Sequence, residues 1–153
     1  MIKLVYLFLV FSLLVFTGCG SVEEARYKRD STTQIVTDTK TRLQWQDNED
    51  TASDEVVLKW EEAIRYCKTL ALGNYSDWRL ADRDELYELT DVKAVVGKRK
   101  TDPIFSHVVA AGYWTDTVVP RDEKSAFYIN TFTGGLHWFS KEKLLFVRCV
   151  RDE

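Results

Sequence analysis

Histidine is almost missing from this chain and cysteine is scarce. The 153 residues hold two histidines, His107 and His137, and three cysteines, Cys19, Cys67 and Cys149. A zinc centre draws three or four ligands, mostly from these two types. Two lone histidines without spare thiols do not assemble one, so the sequence calls for no metal and no cofactor. No spacing marks a Ser/His/Asp set, and catalytic residues are expected to be none. Basic residues are not in excess either: 21 Lys and Arg stand against 24 Asp and Glu, a formal charge of −3. That balance is not the footprint of a nucleic-acid binder. There is no internal repeat and no low-complexity tract. No apolar run reaches the roughly 18–20 residues that comfortably span a bilayer.

What is present starts at the N-terminus. Lys3 gives a positive n-region, and residues 4–16 are apolar except Ser12. That length fits the h-region of a signal peptide. The run ends at Phe16-Thr17-Gly18-Cys19, which resembles a bacterial lipobox with Phe16 in the usual leucine position. The expectation is a signal peptide over residues 1–18 and lipidation at Cys19, which makes the membrane the first partner. Each buried CH₂ of an acyl chain contributes roughly 0.8 kcal/mol, so several chains on one cysteine anchor stably. Gly20, not Asp, follows the cysteine, and the usual sorting pattern then favours the bacterial outer membrane. Cleavage removes Lys3 alone among the charges, leaving 20 basic against 24 acidic residues and a charge of −4. Residues 19–33 are polar and read as a tether; residues 34–153 read as one domain.

With Cys19 lipidated, Cys67 and Cys149 remain. An even pair in an oxidising compartment implies a disulfide, the alternative being two buried thiols. Closing a loop of roughly 80 residues would stabilise by about 4 kcal/mol.

The domain reads as follows. Residues 35–38 and 41–46 form two short strands around Thr39-Lys40, with Leu43 and Trp45 alternating with polar neighbours. Residues 47–55 are acidic but lack the ligand spacing and glycine of a calcium loop, and are expected to be solvated. Residues 58–71 form a helix with Trp60, Ala63, Ile64 and Cys67 on one face, and Gly73 is its candidate C-cap. Asn74 to Asp77 is turn chemistry, followed by extended Trp78-Arg79-Leu80. Asp82 and Glu85 fit the cap of a second helix over residues 83–90. Trp78 is expected to plug the core and Arg79 to brace loop carbonyls. Lys98-Arg99-Lys100 reads as a solvated basic knot. Strands follow over residues 113–119, 126–132, 136–139 and 144–151, with a hairpin at Thr133-Gly134-Gly135. Helices early and strands late indicate an α+β class.

Four segments then line up: Thr41 to Gln46 around Trp45; Trp60 to Cys67; Asp77-Trp78-Arg79-Leu80 with Glu85-Leu86; and Tyr113-Trp114-Thr115 with residues 147–151. In this order they resemble the Lcl C-terminal domain family over about residues 34–151. The resemblance implies a C-type-lectin-like fold, related to that of formylglycine-generating enzymes. It implies two helices on small antiparallel sheets, terminal strands close together, and a cysteine pair at the positions of Cys67 and Cys149. The chain departs from the family pattern at Ala81-Asp82, where Pro-Thr is usual, and at Thr115-Asp116, where two serines are usual.

Family members have been linked to surface adhesion and glycan binding. The functional expectation is therefore a lipid-anchored binding module for a glycan, a polymer or an envelope protein. The alternatives are a non-catalytic structural lipoprotein and, less favoured, an enzyme related to the formylglycine generators, which would need reactive cysteines. Tyr113, Trp114, Trp138 and Phe139 are the candidate contact aromatics, since aromatic faces stack on sugars and anchor interfaces. Alternation should turn about half of them inward. Lys141, Lys143, Arg148 and Arg151 could attract an acidic glycan.

Overall fold

The computed structural model describes residues 24–90 and 100–153. The expected signal segment, Cys19 and the Lys98-Arg99 part of the basic knot lie outside them. Among the described residues no helix is long and apolar enough to cross a membrane.

The first strands are β1 (Tyr27–Asp30), β2 (Ile35–Asp38) and β3 (Leu43–Gln46), an antiparallel meander. β1 corrects the tether reading. Residues 20–33 are polar in composition, yet Tyr27 is buried against Phe105 with ring centroids 5.4 Å apart. Lys28 and Asp30 stay at the surface. One buried aromatic and four ladder pairs hold an otherwise charged segment to the domain.

Two short 3₁₀ turns, over Glu49–Ala52 and Asp54–Val56, lead into β4 (Val57–Leu58) and helix α1 (Trp60–Thr69). The apolar face expected from the spacing is the one that packs: Trp60, Ala63 and Cys67 are buried. Glu62 accepts the Lys59 backbone N–H at 3.1 Å, satisfying a free donor of the first turn. The helix stops before Gly73, so Gly73 is not its cap. Gly73 (φ +64) and Asn74 (φ +65) instead form the turn that pairs Leu72 with Tyr75. Consecutive positive φ angles are the reason for Gly-Asn there.

β5 (Arg79–Leu80) and helix α2 (Arg83–Glu88) follow. Asp82 caps α2 as expected: its carboxylate accepts the Asp84 and Glu85 N–H groups, and Glu85 accepts the Asp82 N–H in return. The chain then forms β6 (Gly112–Val119), β7 (Asp122–Asn130) and β8 (Gly135–Ser140), another meander. The expected last strand is in fact two. β9 (Leu145–Phe146) belongs to one sheet and β10 (Cys149–Asp152) to the other. The chain crosses between sheets at Val147-Arg148.

The result is α+β with two five-stranded sheets, β1-β2-β3-β10-β5 and β4-β9-β6-β7-β8, antiparallel except for the β6–β9 pair. β10 lies beside β3, which joins the C-terminal strand to the N-terminal meander. Leu86 and Leu89 of the α2 region share a core with Trp45, Phe105, Tyr113, Ile129 and Val150. A second core gathers around α1 with Trp78, Leu80, Trp114, Ala126 and Val147. Cys67 and Cys149 meet inside it as a disulfide, with Cα atoms 5.5 Å apart. The spacing that put Cys67 on the inner helix face thus puts it against the strand that carries Cys149.

Candidate functional site

Three of the residues expected to meet a ligand lie in the interior. Tyr113 and Trp114 are 1% and 0% exposed. Alternation along β6 failed as a guide because both faces of its sheet are covered. Tyr113 faces the core shared with α2, and Trp114 faces the core around α1. Both polar tips are engaged by backbone. The Tyr113 hydroxyl donates to Thr51 O at 2.9 Å and accepts from Val109 N at 2.9 Å. The Trp114 indole donates to Leu58 O at 2.9 Å. Such pairing lets amphipathic rings be buried without losing a hydrogen bond.

Arg148 is the third. It is 3% exposed and sits at the sheet-to-sheet crossing. Its Nη1 donates to Gln46 O at 2.6 Å and to Asp47 Oδ1 at 3.2 Å; its Nη2 donates to His107 O at 2.5 Å. The guanidinium also lies 5.0 Å from the centre of the Phe105 ring. Asp47 is fully buried, accepts the Ser106 and His107 N–H groups at 2.9 and 3.1 Å, and pairs with Arg29 as well. His107 points its Nδ1 at Asp47 O, 2.8 Å away. Burial, then the positive charges of Arg29 and Arg148, hold the His107 imidazole below its ordinary pKa. This cluster ties the loop after β3 to the crossing before β10. The acidic segment is therefore not wholly solvated: its first carboxylate is a structural anchor, and Thr51 is buried too. Lys100 is likewise buried, not part of an open basic surface.

The Asp77-Trp78-Arg79-Leu80 motif is architectural in a different way from the one expected. Trp78 is 2% exposed within the α1 core, and its indole donates to Leu72 O at 3.3 Å. Trp60 does the same to Thr115 O at 2.7 Å, and Trp45 fills the core under α2. Arg79 braces carboxylates, not carbonyls: it makes two 2.7 Å bonds to Glu85 and one of 3.3 Å to Asp152. Asp77 pairs with Arg151 at 2.7 Å. Arg151 is thereby committed within the molecule, and its guanidinium lies 3.8 Å from the Tyr75 ring centre. Burial works to raise the Glu85 pKa, but the Arg79 guanidinium and the Asp82 N–H outweigh it and hold the carboxyl below its ordinary value. A depressed carboxylate stabilises the fold at pH above its unfolded value and loses that contribution as pH falls through the folded value. Glu85→Gln should therefore lower stability by about 1–2 kcal/mol at pH 7, since the pair is partly solvent-screened and the cap bond is weakened. The difference from wild type should shrink below about pH 4; urea melts at pH 7 and pH 3.5 measure it.

The surface tells another story. β8 carries Leu136, Trp138 and Phe139 at 38%, 62% and 42% exposure, and Phe132 in the preceding turn is also exposed. No charged residue occurs from 132 to 140. On one face of the β7–β8 hairpin, Tyr128 stacks with both His137 (5.5 Å between centroids) and Phe139 (5.1 Å). On the other, Trp138 stands opposite Phe127. The sequence had marked Trp138 and Phe139; it missed Tyr128, whose cross-strand register with His137 would have placed it in the same row. A cleft of about 450 Å³ between α2 and the first sheet is lined by Asp38, Asp84, Glu85, Glu88 and Asp152 over Leu43 and Trp45. Asp38, Glu85, Glu88 and Asp152 are already paired with Arg26 or Arg79, and Asp84 with Arg83. Among the described residues, no group of three His, Cys, Asp or Glu side chains is arranged to hold a metal ion.

No curated protein matches the chain. The family model of the Lcl C-terminal domain matches residues 34–151. That span takes in both helices, the core tryptophans, the Arg79–Glu85 pair and the Cys67–Cys149 bridge. The chain therefore belongs to the Lcl C-terminal domain family.

Proposed function

We propose that this protein is a binding module of the bacterial envelope, anchored in the outer membrane through acylated Cys19, and that it recognises a glycan, polymer or envelope protein on the aromatic surface of β8. The observation that carries the reading is the exposure of Trp138 on one face of β8 and of Phe139 on the other, within an uncharged stretch. Large aromatics left in water are the commonest anchors of sugar and protein contacts. The interior positions of Tyr113, Trp114 and Arg148 move the candidate contact away from β6 and the crossing. A two-sheet body closed by a buried disulfide suits recognition, because such a fold leaves little order to be gained on binding.

The full chain in detergent, applied to a glycan array and to envelope fractions, tests the reading. Binding should be retained and should weaken about 30-fold in Trp138→Ala, the loss of one anchor of about 2 kcal/mol. The melting temperature should hardly change, because an exposed side chain contributes within about 0.5 kcal/mol. Absence of binding to every glycan and envelope fraction would favour the structural-lipoprotein reading instead.

A further inference from the structure

The two sheets have four edges, and three of them are protected. β1 is short and carries Lys28, Arg29 and Asp30. β4 and β5 have two residues each. The fourth edge, β8, has none of the usual devices against strand addition. It has six residues, pairs with β7 in unbroken register from Gly135 to Ser140, and contains no charge, proline or bulge. Among the described residues its other side is unpaired. Natural sheets block such an edge with lysine, proline, a bulge or a cover.

We propose that β8 pairs antiparallel with β8 of a second copy of this chain, joining the two five-stranded sheets across a two-fold axis. The charge pattern selects this occupant. A charged strand would meet no counter-charge between 132 and 140, whereas a second copy brings no like charge against the edge. With Trp138 opposite Trp138 of the second copy, the charged turn Lys141-Glu142-Lys143 falls opposite the neutral turn Thr133-Gly134-Gly135. Phe139 then falls opposite His137, which continues the row that His137, Tyr128 and Phe139 already form on that face. Opposed aromatics on one face strengthen an antiparallel pair, and a two-fold axis makes every such contact occur twice. The pairing uses the backbone edge and is independent of whether the aromatic surface also takes a ligand.

Sedimentation equilibrium of the full chain in density-matched detergent, without any ligand, tests this. The wild type should reach twice the chain mass with a dissociation constant at or below about 100 µM. Trp138→Lys and Trp138→Glu, each alone, should weaken dimerisation at least tenfold by setting like charges across the axis. An equimolar mixture of the two should dimerise again. A wild type that stays monomeric at about 100 µM overturns the proposal. So do charge variants that dimerise as the wild type does, and a mixture that stays monomeric. Failure of glycan or envelope binding would leave these measurements untouched, so the two readings fail separately.

Discussion

Arg148→Met should destabilise the protein by about 3–5 kcal/mol, the range for breaking a buried ion pair by removing one member. The substitution keeps much of the side-chain volume and removes the charge. It leaves Gln46 O and His107 O without their Arg148 donor, and leaves buried Asp47 with Arg29 and two backbone N–H groups. An acceptor left unsatisfied in the interior costs about 1–3 kcal/mol; His107 O escapes that cost, because the Thr51 hydroxyl still donates to it at 2.8 Å. In a protein of this length the melting temperature should fall by roughly 10 °C or more. The site is where the chain passes from β9 to β10, so the loss should be felt in both sheets; thermal melts followed by near-UV circular dichroism would register it through Tyr113 and Phe105. An Arg148→Met protein that melts like the wild type but has lost ligand binding would return Arg148 to the surface role that the sequence suggested.

Removing the bridge has a comparable effect by a different route. Cys67→Ala with Cys149→Ala should lower stability by about 2–5 kcal/mol, and the chain-entropy model gives about 4.5 kcal/mol for so long a loop. The sequence separation is 82 residues, and the two alanines also leave space in a core where both sulfurs are wholly buried. Denaturant melts of the two proteins should show the double variant with the lower midpoint. Reducing the wild type under native conditions should be slow, because no solvent reaches either sulfur. Alkylation of both cysteines in the unreduced, folded wild type would contradict the bridge.

The parts of the fold that were legible in the sequence are those set by local physics. The apolar face of α1 followed from spacing alone, since a 3.6-residue repeat fixes which side chains share a side. The α2 start followed from Asp82 and Glu85, because capping is decided within four residues. The β7–β8 hairpin followed from its glycines and alternation. β1 was missed because three of its four residues are charged, and long-range packing, against Phe105 among others, makes Tyr27 a core residue. The single closing strand was wrongly drawn because nothing local distinguishes Val147-Arg148 from the middle of a strand. The break exists because Arg148 has buried acceptors to reach in two other segments.

The same division runs through the candidate site. Counting cysteines named the pair that forms the bridge. Which aromatics meet water was not decidable from the chain, because exposure depends on what covers each face. β6 is central, with a packed core on either side, so alternation there separates two interiors and Tyr113 and Trp114 both vanish from the surface. β8 is an edge strand, so nearly all its side chains stay exposed whatever their parity. Short-range periodicity is a property of the backbone and is written in the sequence; the order of strands in a sheet arises from long-range pairing, and that order is what left Trp138 in solvent and took Arg148 out of it.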